Sequence, residues 1–147
     1  MHSFRETRIM PYKADLIDQI IMDIEKYPEF LPWCQKARII SKSDDFLTAE
    51  LSVEFKGFTE KYVSKVNRDV KNGEYFIEVV AISGPFKLLR NIWSIKELDN
   101  AAEVDFSIDF EFKSRILDLV IGMVFSTATE KMIGAFEARA DELSEIV

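Results

Sequence analysis

Ten consecutive residues, Glu103 to Phe112, alternate without a break. Val104, Phe106, Ile108, Phe110 and Phe112 fall on one side, and Glu103, Asp105, Ser107, Asp109 and Glu111 on the other. A period of two with one apolar side is that of a β-strand with one dry and one wet face. From Ser114 the period changes. Phe125, Ala128, Met132, Phe136, Ala140 and Leu143 recur at spacings of three and four, the stripe of an amphipathic α-helix. Each apolar surface must be buried, and each can cover the other. The pair predicts an α+β fold in which a long C-terminal helix lies on the dry face of an antiparallel sheet.

The rest of the chain supplies the sheet. Residues 2–10 read as a first strand, ended by Pro11. Leu16, Ile17, Ile20, Ile21, Ile24 and Tyr27 share one helical face, which predicts a helix from Lys13 to Tyr27 that Pro28 ends. Pro28 and Pro32, four apart, allow only a short helical turn after it. Leu47, Ala49, Leu51, Val53 and Phe55 alternate with polar residues, and Lys56-Gly57 marks a turn. Residues 59–69 and 74–83 read as strands joined by a tight hairpin at Asn72-Gly73. Gly84-Pro85 breaks the chain before a strand at 87–98. The order is strand, helix, short helix, six strands, long helix, and residues 1–147 read as one domain. A straight helix over 114–146 would be roughly 50 Å long, against an expected radius of gyration of about 15 Å. A bend or break is therefore predicted at Gly122 or at Ser126-Thr127. A sheet curled round such a helix leaves room for a cavity.

Composition excludes several chemistries. The one cysteine, Cys34, forms no intramolecular disulfide, and the one histidine, His2, stands far from it in sequence. A Ser-His-Asp triad and a two-His metal site are not to be expected. Cys34 has no His to activate it, so it reads as a small buried residue. The net charge of −7 argues against a DNA-binding role. The charge is uneven: residues 1–96 carry net +1 and residues 97–147 net −8, which leaves room for a local basic face. The longest apolar run, Ile116 to Phe125, has ten residues; a spanning helix needs about 20. With no signal peptide visible, a cytoplasmic protein is expected.

The segment Asp23-Ile24-Glu25-Lys26-Tyr27-Pro28-Glu29-Phe30-Leu31-Pro32-Trp33-Cys34 resembles the signature of the coenzyme Q-binding protein family. That branch of the START-like, polyketide cyclase-like superfamily also holds bacterial ribosome-association toxins. Gly84-Pro85-Phe86, Leu89, Trp93, Asp109-Phe110-Glu111-Phe112, Phe125 and Ala135-Phe136-Glu137-Ala138-Arg139-Ala140 follow in the family's order. The resemblance implies a helix-grip fold: about seven curved antiparallel strands round the C-terminal helix, with two short helices between strands 1 and 2. It implies a bound ligand, ubiquinone or a similar prenyl lipid, with no obligatory cofactor and no chemistry done on it. The protein would then support respiratory electron transport, with peripheral contact at the inner face of the respiratory membrane. It also implies an alternative partner, the large ribosomal subunit.

Candidate ligand-binding residues follow. Phe30, Leu31, Pro32 and Trp33 read either as a lid or as a plug closing the core. Phe86 reads as a gate or an ordinary loop residue, and Leu89, Trp93, Phe106 and Phe110 as inward strand positions. Phe125, Met132 and Phe136 line a tunnel or pack the core; they should face Val104, Phe106, Ile108 and Phe110 across a ligand-sized gap. Ile116–Phe125 lies on a membrane, closes the tunnel, or forms a deeply buried first turn. An enzyme of this fold needs an inward acid or base with a tuned pKa. The clearest strand turns its acids outward, and only Glu6 and Glu78 lie on unassigned faces.

Overall fold

The computed structural model describes residues 1–55 and 57–144. Seven antiparallel strands form one sheet: β1 (His2–Met10), β2 (Cys34–Lys42), β3 (Phe46–Phe55), β4 (Phe58–Lys71), β5 (Glu74–Ser83), β6 (Phe86–Leu98) and β7 (Ala101–Phe112). Their order is β1-β7-β6-β5-β4-β3-β2. Consecutive strands from β2 to β7 are neighbours, as short connections favour. The chain crosses once, from β1 at one edge to β2 at the other, through two short helices. Asn72 and Gly73 both have positive φ, 54° and 78°, the geometry of the expected tight hairpin. At the other expected turn Gly57 has φ of 84°, while Lys56 lies outside the described residues.

The first helix is shorter than its pattern. Helix α1 spans Ala14–Met22, and a 3-10 helix, Ile24–Glu29, follows it. Pro28 does not end α1 but sits inside the 3-10 helix. In an α-helix its ring would meet the carbonyl of Ile24 and its missing N–H would leave that carbonyl unbonded. The chain therefore leaves α-helical geometry at Asp23, with φ −85° and ψ 63°. The Tyr27 hydroxyl donates to the carbonyl of Ile21 and ties the 3-10 helix to the end of α1. Asp18 of α1 is buried, and Arg68 of β4 clamps it with two hydrogen bonds of 2.8 and 2.7 Å.

The C-terminal helix is broken, at the first of the two expected places. Helix α2 (Arg115–Gly122) and helix α3 (Phe125–Ser144) are separate, and Ser126-Thr127 lie inside α3. A Cβ on Gly122 would stand 2.7 Å from the His2 ring, so the break carries a residue without one. Ser114 caps α2 by accepting from Leu117 N at 3.2 Å, and Asp118 accepts from Phe112 N at 3.0 Å. Both contacts fix α2 to the end of β7. Helix α3 packs on α1 and on the inner face of the sheet, burying Phe125, Thr129, Ile133, Phe136 and Ala140. Phe125, Phe136 and Ala140 of the stripe read from sequence are buried as expected, while Thr129 and Ile133, outside it, are buried in place of Ala128 and Met132.

Candidate functional site: an apolar cavity under the C-terminal helix

The inner face of the sheet is not filled by α3. A cavity of about 220 Å³ remains, walled by β3 to β7, by α3, and by the segment from α1 to Trp33. Its shape follows from strand irregularities. Gln35, Ile82 and Lys87 are each an extra residue where pairing shifts between Cys34 and Lys36, between Val63 and Ser64, and between Phe86 and Leu88. These three shifts lie at the same end of the sheet; a fourth, with Ile40 extra between Ile39 and Ser41, lies away from it. Such bulges bend and twist the strands that carry them. The sheet therefore curls away from α3 at this end. Trp33, Phe55, Phe86, Phe112 and Ile121 ring that end of the cavity. Ile21, Ile24, Val66, Ile77, Trp93 and Phe136 surround the other.

Nine of the twelve residues singled out from sequence stand in the wall: Leu31, Trp33, Phe86, Leu89, Trp93, Phe110, Phe125, Met132 and Phe136. Phe30, Pro32 and Phe106 do not. Phe30 stacks edge-on against Tyr27 and Phe136 behind the wall, with Arg139 over its ring. Pro32 is exposed, because the turn that carries Leu31 inward carries the next residue outward. Phe106 is buried under Trp93 and Phe4. The gap is also displaced from the place expected. Phe125 rests on Phe110 with ring centroids 4.6 Å apart, so α3 and β7 are in contact there. The open space lies over β3 to β6, with Ile108, Phe110 and Phe112 as its flank.

The wall is apolar with a few polar groups, and sequence reading missed those. Tyr62 and Ser64 occupy successive inward positions of β4, and Asn91 and Thr129 project from β6 and α3. The alternation Tyr62, Ser64, Val66 was visible in the sequence, but nothing there fixed which face of β4 turned inward. Trp93 Nε1 donates to Asn91 Oδ1 at 2.9 Å, and Asn91 Nδ2 donates to the Ser107 carbonyl at 2.8 Å. The Thr129 hydroxyl donates to the Phe125 carbonyl at 2.8 Å. Burial pushes the Cys34 thiol up to about 11, so it is not a thiolate near neutrality. Burial, reinforced by nearby Tyr62, Cys34 and Asp23, holds the Tyr27 phenol far above its ordinary value; burial and Cys34 do the same to Tyr62.

The acids lie elsewhere. On the outer face Asp109 binds Ser3 and Arg5, Glu111 binds Lys87, and Glu78 binds Arg90. Glu6 is on the inner side of β1 but lies 3.1 Å from Arg8, which reaches Glu137 of α3 at 3.0 Å; none of the three is in the cavity wall. Glu54, the carboxylate at the rim, is exposed and accepts from Gln35. Helix α2 has two apolar sides. Leu117 is buried and Ile121 lines the cavity, while Ile116, Leu119 and Met123 are 70%, 70% and 79% exposed. The deeply buried first turn expected as one alternative is not found, because a helix at the rim of the sheet can bury only one side. Among the described residues no helix is long and apolar enough to cross a membrane.

Three comparisons place this architecture. Residues 10–137 match the family of polyketide cyclase/dehydrase and lipid transport proteins. The chain is 47% identical over 144 residues to the ribosome association toxin RatA of Rickettsia prowazekii, covering 97% of this chain and 99% of that one. It is 31% identical over 147 residues to the mitochondrial coenzyme Q-binding protein of Schizosaccharomyces pombe, covering 95% and 87%. A START superfamily protein from Mycobacterium smegmatis has the same fold, with a TM-score of 0.81 at 20% identity over 97% of this chain and 99% of the other.

Proposed function

This chain belongs to the polyketide cyclase/dehydrase and lipid transport family, and from that premise we propose that it is a carrier for ubiquinone or a similar prenyl lipid. The ligand is held in the cavity between sheet and α3 and is not chemically changed. The observation that carries this reading is the cavity itself, about 220 Å³ and almost wholly hydrocarbon-walled. An apolar cavity of roughly 150 Å³ already accepts benzene. The space suits a substituted six-membered ring with the first carbons of its tail, the rest of the tail running out past the aromatic rim. Burying a five-carbon prenyl unit at roughly 0.8 kcal/mol per CH₂-sized group gives several kcal/mol. Ring and one or two units together reach micromolar affinity after the costs of association.

Two features support a carrier over an enzyme. The cavity's two phenols are held protonated by burial, Glu54 at its rim is exposed and bonded to Gln35, and Asp109, Glu111 and Glu78 stand outside it in pairs with cations. Helix α2 supports loading at a membrane surface. The exposed Ile116 and Leu119 of α2, with Met123 just after it, can insert shallowly into lipid while Ile121, on the other side of the helix, borders the cavity. On this reading the protein works at the inner face of the respiratory membrane and serves electron transport by delivering quinone. The test is extraction of the protein purified from a quinone-producing host, followed by mass spectrometry. Near-stoichiometric quinone is expected; a bare protein that also fails to load from added quinone contradicts the proposal.

A second reading is favoured by the name of the Rickettsia relative, a ribosome association toxin: we propose as the alternative that this chain binds the large ribosomal subunit and keeps the subunits from joining. The charge distribution supports it less. Arg5, Arg8, Arg38, Arg68, Arg90 and Arg139 are each engaged with a carboxylate rather than displayed for phosphate. Comigration with large subunits in a sucrose gradient at physiological salt, with loss of joined ribosomes, would reverse the order of the two readings.

A further inference from the structure

We infer that β4 provides a polar seat inside the apolar cavity, in which the Tyr62 and Ser64 hydroxyls hydrogen-bond the carbonyl oxygens of a neutral, quinone-class head group. This rests on the carrier reading and narrows it, from any greasy ligand to one with hydrogen-bond acceptors on its ring.

Most polar groups in and around the cavity wall are already satisfied. Tyr27 bonds the Ile21 carbonyl, Thr129 the Phe125 carbonyl, Cys34 the Lys36 carbonyl, and Asn91 both Trp93 and Ser107. Tyr62 and Ser64 are left over: among the described residues neither hydroxyl has a hydrogen-bond partner, although Ser64 is only 2% exposed. Neither hydroxyl is sealed off, since the enclosed polar atoms without a hydrogen-bond partner are His2 Nε2 and Glu6 Oε2; both hydroxyls are open to the cavity, where a ligand oxygen can pair them. Tyr62 and Ser64 stand at positions i and i+2 of one strand, about 7 Å apart along it, and both line the same cavity. Tyr62 itself is half-buried.

The Tyr62 ring is also held in place from behind. Gly84 passes so close that a Cβ there would lie 2.6 Å from the Tyr62 Cβ, and its φ of 122° suits glycine. The Phe86 ring meets the Tyr62 ring edge-on at 5.1 Å. The Gly84-Pro85-Phe86 segment thus clamps this phenol. Burial keeps the phenol protonated, so it donates a hydrogen bond and does not act as a base. The wall contains no Lys or Arg among the described residues, so a carboxylate or phosphate head would enter without a counter-ion. A bare hydrocarbon would leave both hydroxyls unpaired. A ring with carbonyl oxygens satisfies them.

The test is isothermal titration of the full chain and its Tyr62→Phe and Ser64→Ala variants with two ligands. One is ubiquinone with two prenyl units; the other is an arene with the same tail and no ring oxygens. The folded chain should prefer the quinone by about tenfold or more, and each variant should lose about fivefold for the quinone, as one neutral hydrogen bond implies. Affinity for the arene should not change. Melting curves of both variants show that any loss is not unfolding; should one variant be unfolded, the other decides alone. If wild type binds quinone and arene equally, or the variants bind quinone as wild type does, the seat is refuted while the carrier reading stands. Equal losses for both ligands also refute it. If wild type binds neither ligand, the carrier reading fails and the seat with it.

Discussion

At the scale of single residues, adjacent positions have opposite fates. Met132 lines the cavity and Lys131, one residue earlier on α3, is exposed. A carboxylate at position 132 must be desolvated at a cost of several kcal/mol unless water follows it in. Met132→Glu should abolish quinone binding or lower the melting temperature sharply, whereas Lys131→Glu should change neither. Equal tolerance in a paired thermal-melt and binding assay would mean that α3 does not present position 132 to the ligand. The helical period alone was enough to identify this residue. It was not enough for Thr129 and Ile133, which are more deeply buried than Met132, because an apolar stripe gives a face only to within one position. Tyr62 and Ser64 were harder still. Their strand carries polar residues on both faces, so its phase had to come from pairing with β3 and β5.

Among elements, those with a single strong period were legible and those under two constraints were not. Strands β3 and β7 matched their alternation to within two residues. Strand β2 had no apolar row to mark it; its pattern is mostly exposed, as suits an edge. Helix α1 stopped early because the steric demand of Pro28 acts a turn upstream of the proline itself. Helix α2 was hardest to read, since its run of apolar residues serves both the cavity and the outside. That outside is testable. Replacing Ile116, Leu119 and Met123 together by Ser removes most of its exposed hydrocarbon without touching the buried Leu117. Quinone transfer between phosphatidylcholine vesicles should slow about tenfold or more, given the cost of losing that insertion. Binding of quinone presented in detergent should stay as in the unaltered chain. An unchanged transfer rate would remove α2 from the loading step.

For the whole molecule, the antiparallel run from β2 to β7 and the grip of sheet on helix followed from the short connections and the period switch at Ser114, whereas the place of β1 beside β7 did not. Nor did the cavity. It accompanies three of the four extra residues in the described strands, Gln35, Ile82 and Lys87, which shift pairing at one end of the sheet, whereas Ile40 lies away from that end. Each extra residue reverses the phase of its strand, so that Phe86 and Leu89, three apart, both face the cavity; the sequence does not show where such a change of phase falls. The place of the gap, over β3 to β6 and not over β7, follows from the same shifts and from Phe125 resting on Phe110. Trp33 and Trp93, one near the aromatic rim and one at the deep end, both stand in the wall and report on what enters it. Titrating the full chain with two-prenyl ubiquinone while following tryptophan fluorescence therefore tests the carrier directly. Saturable quenching at one equivalent, with a dissociation constant in the micromolar range or below and no quenching in a folded Met132→Glu variant, is the expected result. Quenching that rises linearly without saturation, or that is the same in both proteins, would contradict occupation of the cavity by quinone.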